Sequence, residues 1–253
     1  MITIWIFRIF VFFLGLAIGS FVNVLLFRLP SKQRLSGRSK CFSCKKTLRW
    51  YELIPIFSFI FLKRKCLSCK QKISFQYILI ELLFGLSFLF SSFLSFQWLL
   101  LGWFLVLVSI FLFLALYDIK YLILPDGSLI LLFFWIFIGT LIFWRDTIVN
   151  SAISALALFL FFLIIYTLSS GRWIGGGDVK LAGVLGFWLG WPGIGVMFSL
   201  TYLLGGLVSG ILLLTGKAKF KSQIPFGPFL LIGAILTFLW GDVILTWYLG
   251  LIL

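Results

Sequence analysis

Apolar residues in this chain run in long blocks, and short polar breaks divide them. Residues 2–27 are apolar except for Arg8, Ser20 and Asn23. Further blocks cover 76–96 and 98–117, divided at Gln97, then 128–144, 147–170, 181–191, 194–215 and 226–252. A helix rises about 1.5 Å per residue, so crossing a hydrocarbon core of about 30 Å takes about 20 apolar residues. The block 181–191 is short by that measure and reads as a half-span. The pattern predicts an all-α polytopic membrane protein with about eight transmembrane helices. The first block is too long for a signal peptide and ends at Asn23 and Arg28 without a small-residue cleavage site, so it reads as a retained anchor. Three regions follow: an N-terminal transmembrane anchor at 1–27, a polar loop at 28–75 and a helical membrane domain at 76–253.

Composition supports the pattern. Hydrophobic residues make up 62% and charged residues 11% of the 253 positions, against about 25% charged in ordinary soluble domains. A soluble globular enzyme and a disordered chain are both excluded. The net charge is +14, but its placement argues against nucleic acid. Thirteen of the 21 basic residues lie between Arg28 and Lys72, with Glu52 the one acid among them. By the positive-inside rule, residues 28–75 face the cytoplasm and the N-terminus lies outside. Lys120, Arg172, Lys180 and the turn with Lys217, Lys219 and Lys221 then also fall inside, and the C-terminus outside. Such charge suits anionic lipid headgroups. Gly15/Gly19, Gly186/Gly190 and Gly206/Gly210 are small-residue pairs four apart, a spacing that permits close helix approach.

All four cysteines lie in the basic loop, as Cys41-x-x-Cys44 and Cys66-x-x-Cys69 with 21 residues between the pairs. Two such pairs are the sequence form of a tetrahedral thiolate zinc site, and a four-thiolate site is closed and structural. Lys40, Lys45, Lys46, Lys65 and Lys70 favour the thiolates. Disulfides are disfavoured in a reducing cytoplasm; thiol redox chemistry stays open as the alternative.

There is no histidine, so Ser-His-Asp, Cys-His and HExxH chemistries are excluded. The acids are Glu52, Glu81, Asp118, Asp126, Asp146, Asp178 and Asp242. Two segments place an Asp-x-Lys at the end of an apolar block. One runs from Asp118 through Lys120 to Pro125-Asp126, the other is Gly175-Gly176-Gly177-Asp178-Val179-Lys180. An acid at a membrane boundary is costly unless it faces a cavity or a partner. Two facing aspartates can share one proton, one acting as base toward water while the other donates to a peptide carbonyl. The competing structural reading makes each aspartate a helix cap or the partner of its nearby lysine. Asp126, following Pro125, reads as an ordinary N-cap; Glu81 is undecided, and Asp146 and Asp242 read as surface or cap residues. Lys120 and Lys180 do not face their own aspartates at this spacing, so headgroups or an acidic substrate residue are their expected contacts.

These stretches together resemble the prepilin peptidases, or type IV leader peptidases, which are GxGD-type intramembrane aspartic proteases. The resemblance rests on Gly19-Ser20-Phe21-Val22-Asn23-Val24 through Arg28-Leu29-Pro30, on Cys41 to Cys69 with Trp50 to Pro55 inside it, on the two aspartate segments, and on Ile224-Pro225-Phe226-Gly227-Pro228-Phe229. It covers the chain almost end to end; Phe42 after Cys41 is a mild departure. The resemblance implies that Asp118 and Asp178 are catalytic; Gly175, Gly176, Gly177, Lys120, Lys180 and Asp126 are read from their placement as substrate or active-site support. It implies a multi-pass protein of the bacterial cytoplasmic membrane. The substrates implied are prepilin and pseudopilin precursors, cut after a short basic leader on the cytoplasmic side. Many members also methylate the new N-terminus with S-adenosylmethionine, although no Gly-rich methyltransferase motif is visible here. From the residues alone two other readings stay open. Intramembrane acids with Gly-broken helices also mark transporters and channels, and a zinc loop can serve an assembly scaffold.

Overall fold

The computed structural model describes every residue except Met1, Lys32, Leu35, Ser36, Phe42, Lys63, Ser95, Phe96, Ala218, Phe220, Lys221 and Leu253, and only the backbone of Phe57, Ile60 and Ile252. Lys221 of the expected basic turn and Phe42 thus lie outside the described residues. The architecture is all-helical. α1 spans Ile2–Arg28, α2 Phe57–Phe61, α3 Gln76–Leu94, α4 Trp98–Tyr121, α5 Asp126–Phe143, α6 Ile148–Leu168, α7 Gly176–Leu214 and α8 Gly227–Ile252. Short 3-10 turns occupy Trp50–Leu53 and Arg145–Thr147. Seven of the helices are long and apolar enough to cross a membrane.

α7 consists of two helical arms that meet at a break, so the apolar blocks 181–191 and 194–215 stay distinct. Its ladder is interrupted at Gly190 (φ 62°, ψ −179°) and Trp191 (φ −85°, ψ 137°), just before Pro192, whose peptide bond is cis. Asn150 of α6 takes up the backbone groups freed there. Its Nδ2 donates to the Trp191 carbonyl (2.8 Å), and the Trp191 N–H donates to its Oδ1 (3.2 Å). The first arm of α7 begins at Gly176, earlier than the apolar block, because a helix start tolerates Gly and Asp where a membrane core does not. For the same reason α4 continues past residue 117 and carries Asp118 on its last turn.

The chain divides into two compact units, residues 1–113 and 114–253. In the first, α1 lies against α3. A Cβ on Gly15 would sit 2.6 Å from the Phe84 carbonyl oxygen, and one on Gly19 would sit 2.9 Å from Glu81 Cα. This is helix contact through small residues, with backbones touching. Phe27 stacks on Tyr77 (5.9 Å, 9°), and the Arg8 guanidinium lies 3.8 Å over the Phe93 ring.

In the second unit α7 is the central element, packed against α5, α6 and α8. Gly186 meets the Ser154 carbonyl, Gly233 of α8 meets Thr201 Oγ1, and Phe133 and Phe137 of α5 pack on Phe187. Gly206 and Gly210 have no atom within 4 Å of an added Cβ, so the third small-residue pair makes no close approach among the described residues. Gly15→Leu should therefore lower stability by about 1–3 kcal/mol, while Gly206→Leu should leave it within about 0.5 kcal/mol. Unfolding of the two purified variants in detergent checks the contrast.

Candidate active site and metal centre

Three helix ends of the second unit meet at one glycine. Asp118 sits on the last turn of α4 and is 5% exposed. Asp178 sits on the first turn of α7, and Gly227 opens α8. The Gly227 N–H donates to Asp118 Oδ2 (3.1 Å). A Cβ on Gly227 would lie 2.7 Å from Asp118 Oδ2 and 3.6 Å from Asp178 Oδ1. Both carboxylates thus crowd one backbone position that only hydrogen can occupy. The N-termini of α7 and α8 direct their partial positive charge at this point, which offsets part of the cost of placing acids there.

Asp178 is half a helix cap. Its Oδ2 accepts the Gly175 N–H (3.3 Å), whereas its Oδ1, the oxygen nearer Gly227, is buried without a hydrogen-bond partner. A buried acceptor left open in this way is expensive as structure and useful as chemistry. Asp118 and Asp178 are therefore brought together, as a site of this chemistry requires.

The supporting residues have distinct places. Gly177 lets the turn after α4 press against α7, since a Cβ there would lie 2.9 Å from Leu124 Cβ. Leu122, at φ 56°, reverses the chain, and its N–H returns to the Asp118 carbonyl (2.8 Å). Asp126 does not cap α5. Pro125 takes that position, and Asp126 Oδ1 instead pairs with Lys180 Nζ at 2.6 Å. The pair joins the two Asp-x-Lys segments crosswise, so Lys180 meets a carboxylate of the protein itself. Gly175 and Gly176 precede Asp178 in the open. Lys120 is exposed, its Nζ 5.2 Å from the Tyr121 ring centroid. Gly227 entered the sequence reading only within a late signature; Pro-Phe-Gly-Pro at a helix start was the signal for a close approach. A groove of about 240 Å³ lined by Thr201, Tyr202, Ser209, Ile224, Phe226 and Phe229 begins beside it.

The first unit holds the cysteines. Each pair sits in the same turn. The Lys45 N–H donates to the Cys41 carbonyl (2.9 Å) and the Lys70 N–H to the Cys66 carbonyl (3.0 Å), with both lysines near φ +57°. Antiparallel bridges Lys40–Thr47 and Lys65–Lys72 close the two turns, and Lys46 Nζ donates to Ser68 Oγ (2.7 Å) between them. The four Sγ atoms lie within 4.8 Å of one another, and those of Cys41 and Cys69 are 3.8 Å apart. Tetrahedral thiolates on zinc, at about 2.3 Å each, have the same separation of about 3.8 Å. The four cysteines can hold a metal ion. Backbone N–H groups of Cys69 and Ser68 draw the Cys66 thiol down to about 7, while burial and the neighbouring cysteines push Cys69 up to about 11.

Paired carboxylates at the ends of membrane-spanning helices, and a four-thiolate cluster in the loop between α1 and α3, fit an integral membrane hydrolase with a loop that can hold a metal ion. Comparison with known proteins gives the same class. The Bacterial Peptidase A24 N-terminal domain matches residues 13–95, and the Type IV leader peptidase family matches residues 105–213. The prepilin leader peptidase/N-methyltransferase of Bacillus subtilis (strain 168) is 34% identical, covering 96% of this chain and 98% of the relative. Those of Aeromonas salmonicida (strain A449) and Stutzerimonas stutzeri are 32% and 31% identical, over 98% and 93% of this chain and 96% and 91% of the relatives. No solved structure matches. The chain belongs to the type IV leader peptidase family. That membership decides for a membrane enzyme over the transporter and the scaffold.

Two outcomes are expected. Cys69→Ser should lose the bound metal, read as metal per chain by plasma emission against about one in the wild type. Gly227→Ala should lower peptide cleavage about a hundredfold, because its Cβ displaces Asp118; turnover of a prepilin peptide reads this directly.

Proposed function

We propose that this peptidase removes the short basic leader of prepilin-like precursors, with Asp118 and Asp178 as its catalytic pair. The observation that carries the reading is their convergence on Gly227, with one buried oxygen of Asp178 left without a partner. In this reading the pair shares one proton. One carboxylate takes a proton from the attacking water, and the other gives its proton to the scissile carbonyl oxygen. The tetrahedral intermediate then collapses as the amine leaves with a returned proton. No metal or covalent intermediate takes part. Gly177 and the Lys180–Asp126 pair hold the two aspartate segments together, and Lys120 lies beside them on the exposed side.

The cysteine loop would hold zinc as a structural ion and face the cytoplasm together with the aspartates, with both chain termini outside. The basic residues of 28–75 would then lie against anionic headgroups, in a bacterial cytoplasmic membrane. Methylation of the new N-terminus is the second part of the reading and rests on the names of the relatives. S-adenosylmethionine would supply a methyl group on a cationic sulfur and carries an ammonium as well. Among the described residues of the first unit, the buried acceptors of Asn23 and Glu81 are groups that fit a cation.

Asp118→Asn and Asp178→Asn should each cut prepilin cleavage by a factor of about 100–10,000 while the protein still inserts. Asp126→Asn should cost less than about fivefold, the range of an exposed ion pair. Mass spectrometry of a prepilin incubated with each variant and S-adenosylmethionine reads cleavage and methylation together. Full cleavage by either dyad variant would refute the assignment.

A further inference from the structure

The first unit buries a second acid that the peptidase chemistry leaves unused. Glu81 of α3 is 7% exposed and has no ion-pair partner among the described residues. Its Oε2 accepts the Ile56 N–H (2.8 Å), and the Ser20 side chain lies beside the same carboxylate. One turn away is Asn23 of α1, 1% exposed. The Asn23 Nδ2 donates to the Tyr77 carbonyl (3.2 Å), and its Oδ1 is buried with no partner among the described residues. Gly19, packed on Glu81 Cα, keeps α1 and α3 close enough for both side chains to share the interface.

A buried carboxylate with no cation and a buried amide oxygen with no donor form a set of acceptors short of donors. What satisfies such a set is a group with several N–H donors and a positive charge. Ile56 and the Ser20 hydroxyl each supply a neutral donor to Glu81, Ile56 from a β-branched residue held at φ 62°. L-residues with branched side chains avoid that region, and strained backbone of this kind collects at functional sites.

We propose that Asn23 and Glu81 form a binding site for an alkylammonium group, with the Ile56 N–H standing in the place of one of its donors. The inference rests on the methylation reading for the identity of its ligand. Two ammonium groups belong to that reaction, the α-amino group exposed by cleavage and the amino-acid end of S-adenosylmethionine.

The test uses the full-length protein in detergent with S-adenosylmethionine and a synthetic peptide carrying the mature prepilin N-terminus, free or N-acetylated. Equilibrium binding of each probe is measured for wild type, Glu81→Gln, Asn23→Asp and Asn23→Leu, with metal content and unfolding temperature as controls for the fold. Glu81→Gln keeps an acceptor for the Ile56 N–H but loses the charge. It should weaken binding of the ammonium ligand roughly thirtyfold. Asn23→Leu should weaken it as well, whereas Asn23→Asp should preserve or tighten it. If the peptide amine is the ligand, acetylation abolishes binding; if the methyl donor is, acetylation changes nothing and the donor's affinity falls in Glu81→Gln. The proposal is overturned if the wild type binds neither probe, if Glu81→Gln binds both as the wild type does, or if Asn23→Asp fails as badly as Asn23→Leu. Binding without methylation would support the site and count against the second activity alone.

Discussion

Placing carboxylates at the end of apolar helices is the constraint around which the second unit is organised. An acid there is stable only if the protein supplies what water would have supplied. For Asp118 the supply is one N–H from the first residue of α8; for Asp178 it is one N–H at the start of its own helix. Neither carboxylate is saturated. The glycine between them carries the geometry, because any side chain at 227 would push one acid away from the other. The helices behind serve that meeting point. α7 contacts α5, α6 and α8, so the position of its first turn is set by most of the unit.

Backbone groups follow the same accounting as side chains. The interruption of α7 at Gly190 and Trp191 frees an N–H and a carbonyl, and one asparagine of α6 satisfies both. In the metal loop the two knuckles leave no room for regular strands. Each uses its own lysine in the left-handed region to return an N–H to the carbonyl of the first cysteine of the pair. Lysine is not chosen for that backbone conformation, which costs it about 1 kcal/mol. Its repeated use after each Cys-x-x-Cys suits a cluster whose thiolates carry negative charge.

Much of this was legible in the residues and some was not, for definable reasons. The helices follow from the apolar blocks because hydrocarbon demands continuous runs. The cysteine cluster follows from spacing because two knuckles can be read locally. The break between the arms of α7 was legible as Trp191-Pro192-Gly193, but its partner was not, since Asn150 lies 41 residues earlier. The role of Asp126 was misread as a cap because its partner, Lys180, lies 54 residues away. Gly227 was visible as a signature but not as a site, as its contact with Asp118 spans 109 positions. Local chemistry shows in a sequence; pairings at long range need the fold.

The two matched family regions fall largely one to each unit, and each unit has its own buried acid. In the first unit a metal held by the cysteines would be joined to the membrane helices by a short stretch of chain. Ile56 lies within the 21-residue segment between the cysteine pairs, so a metal held by all four cysteines closes a loop that contains it. Loop closure by a metal restricts where that segment can go. The Ile56 N–H reaches Glu81 from inside this closed loop. A closed thiolate site has no open coordination position for a substrate, so a metal held there would act on the helices through the loop's own contacts. The Ile56–Glu81 hydrogen bond is the described one that runs from the metal loop to a buried acid in the helices.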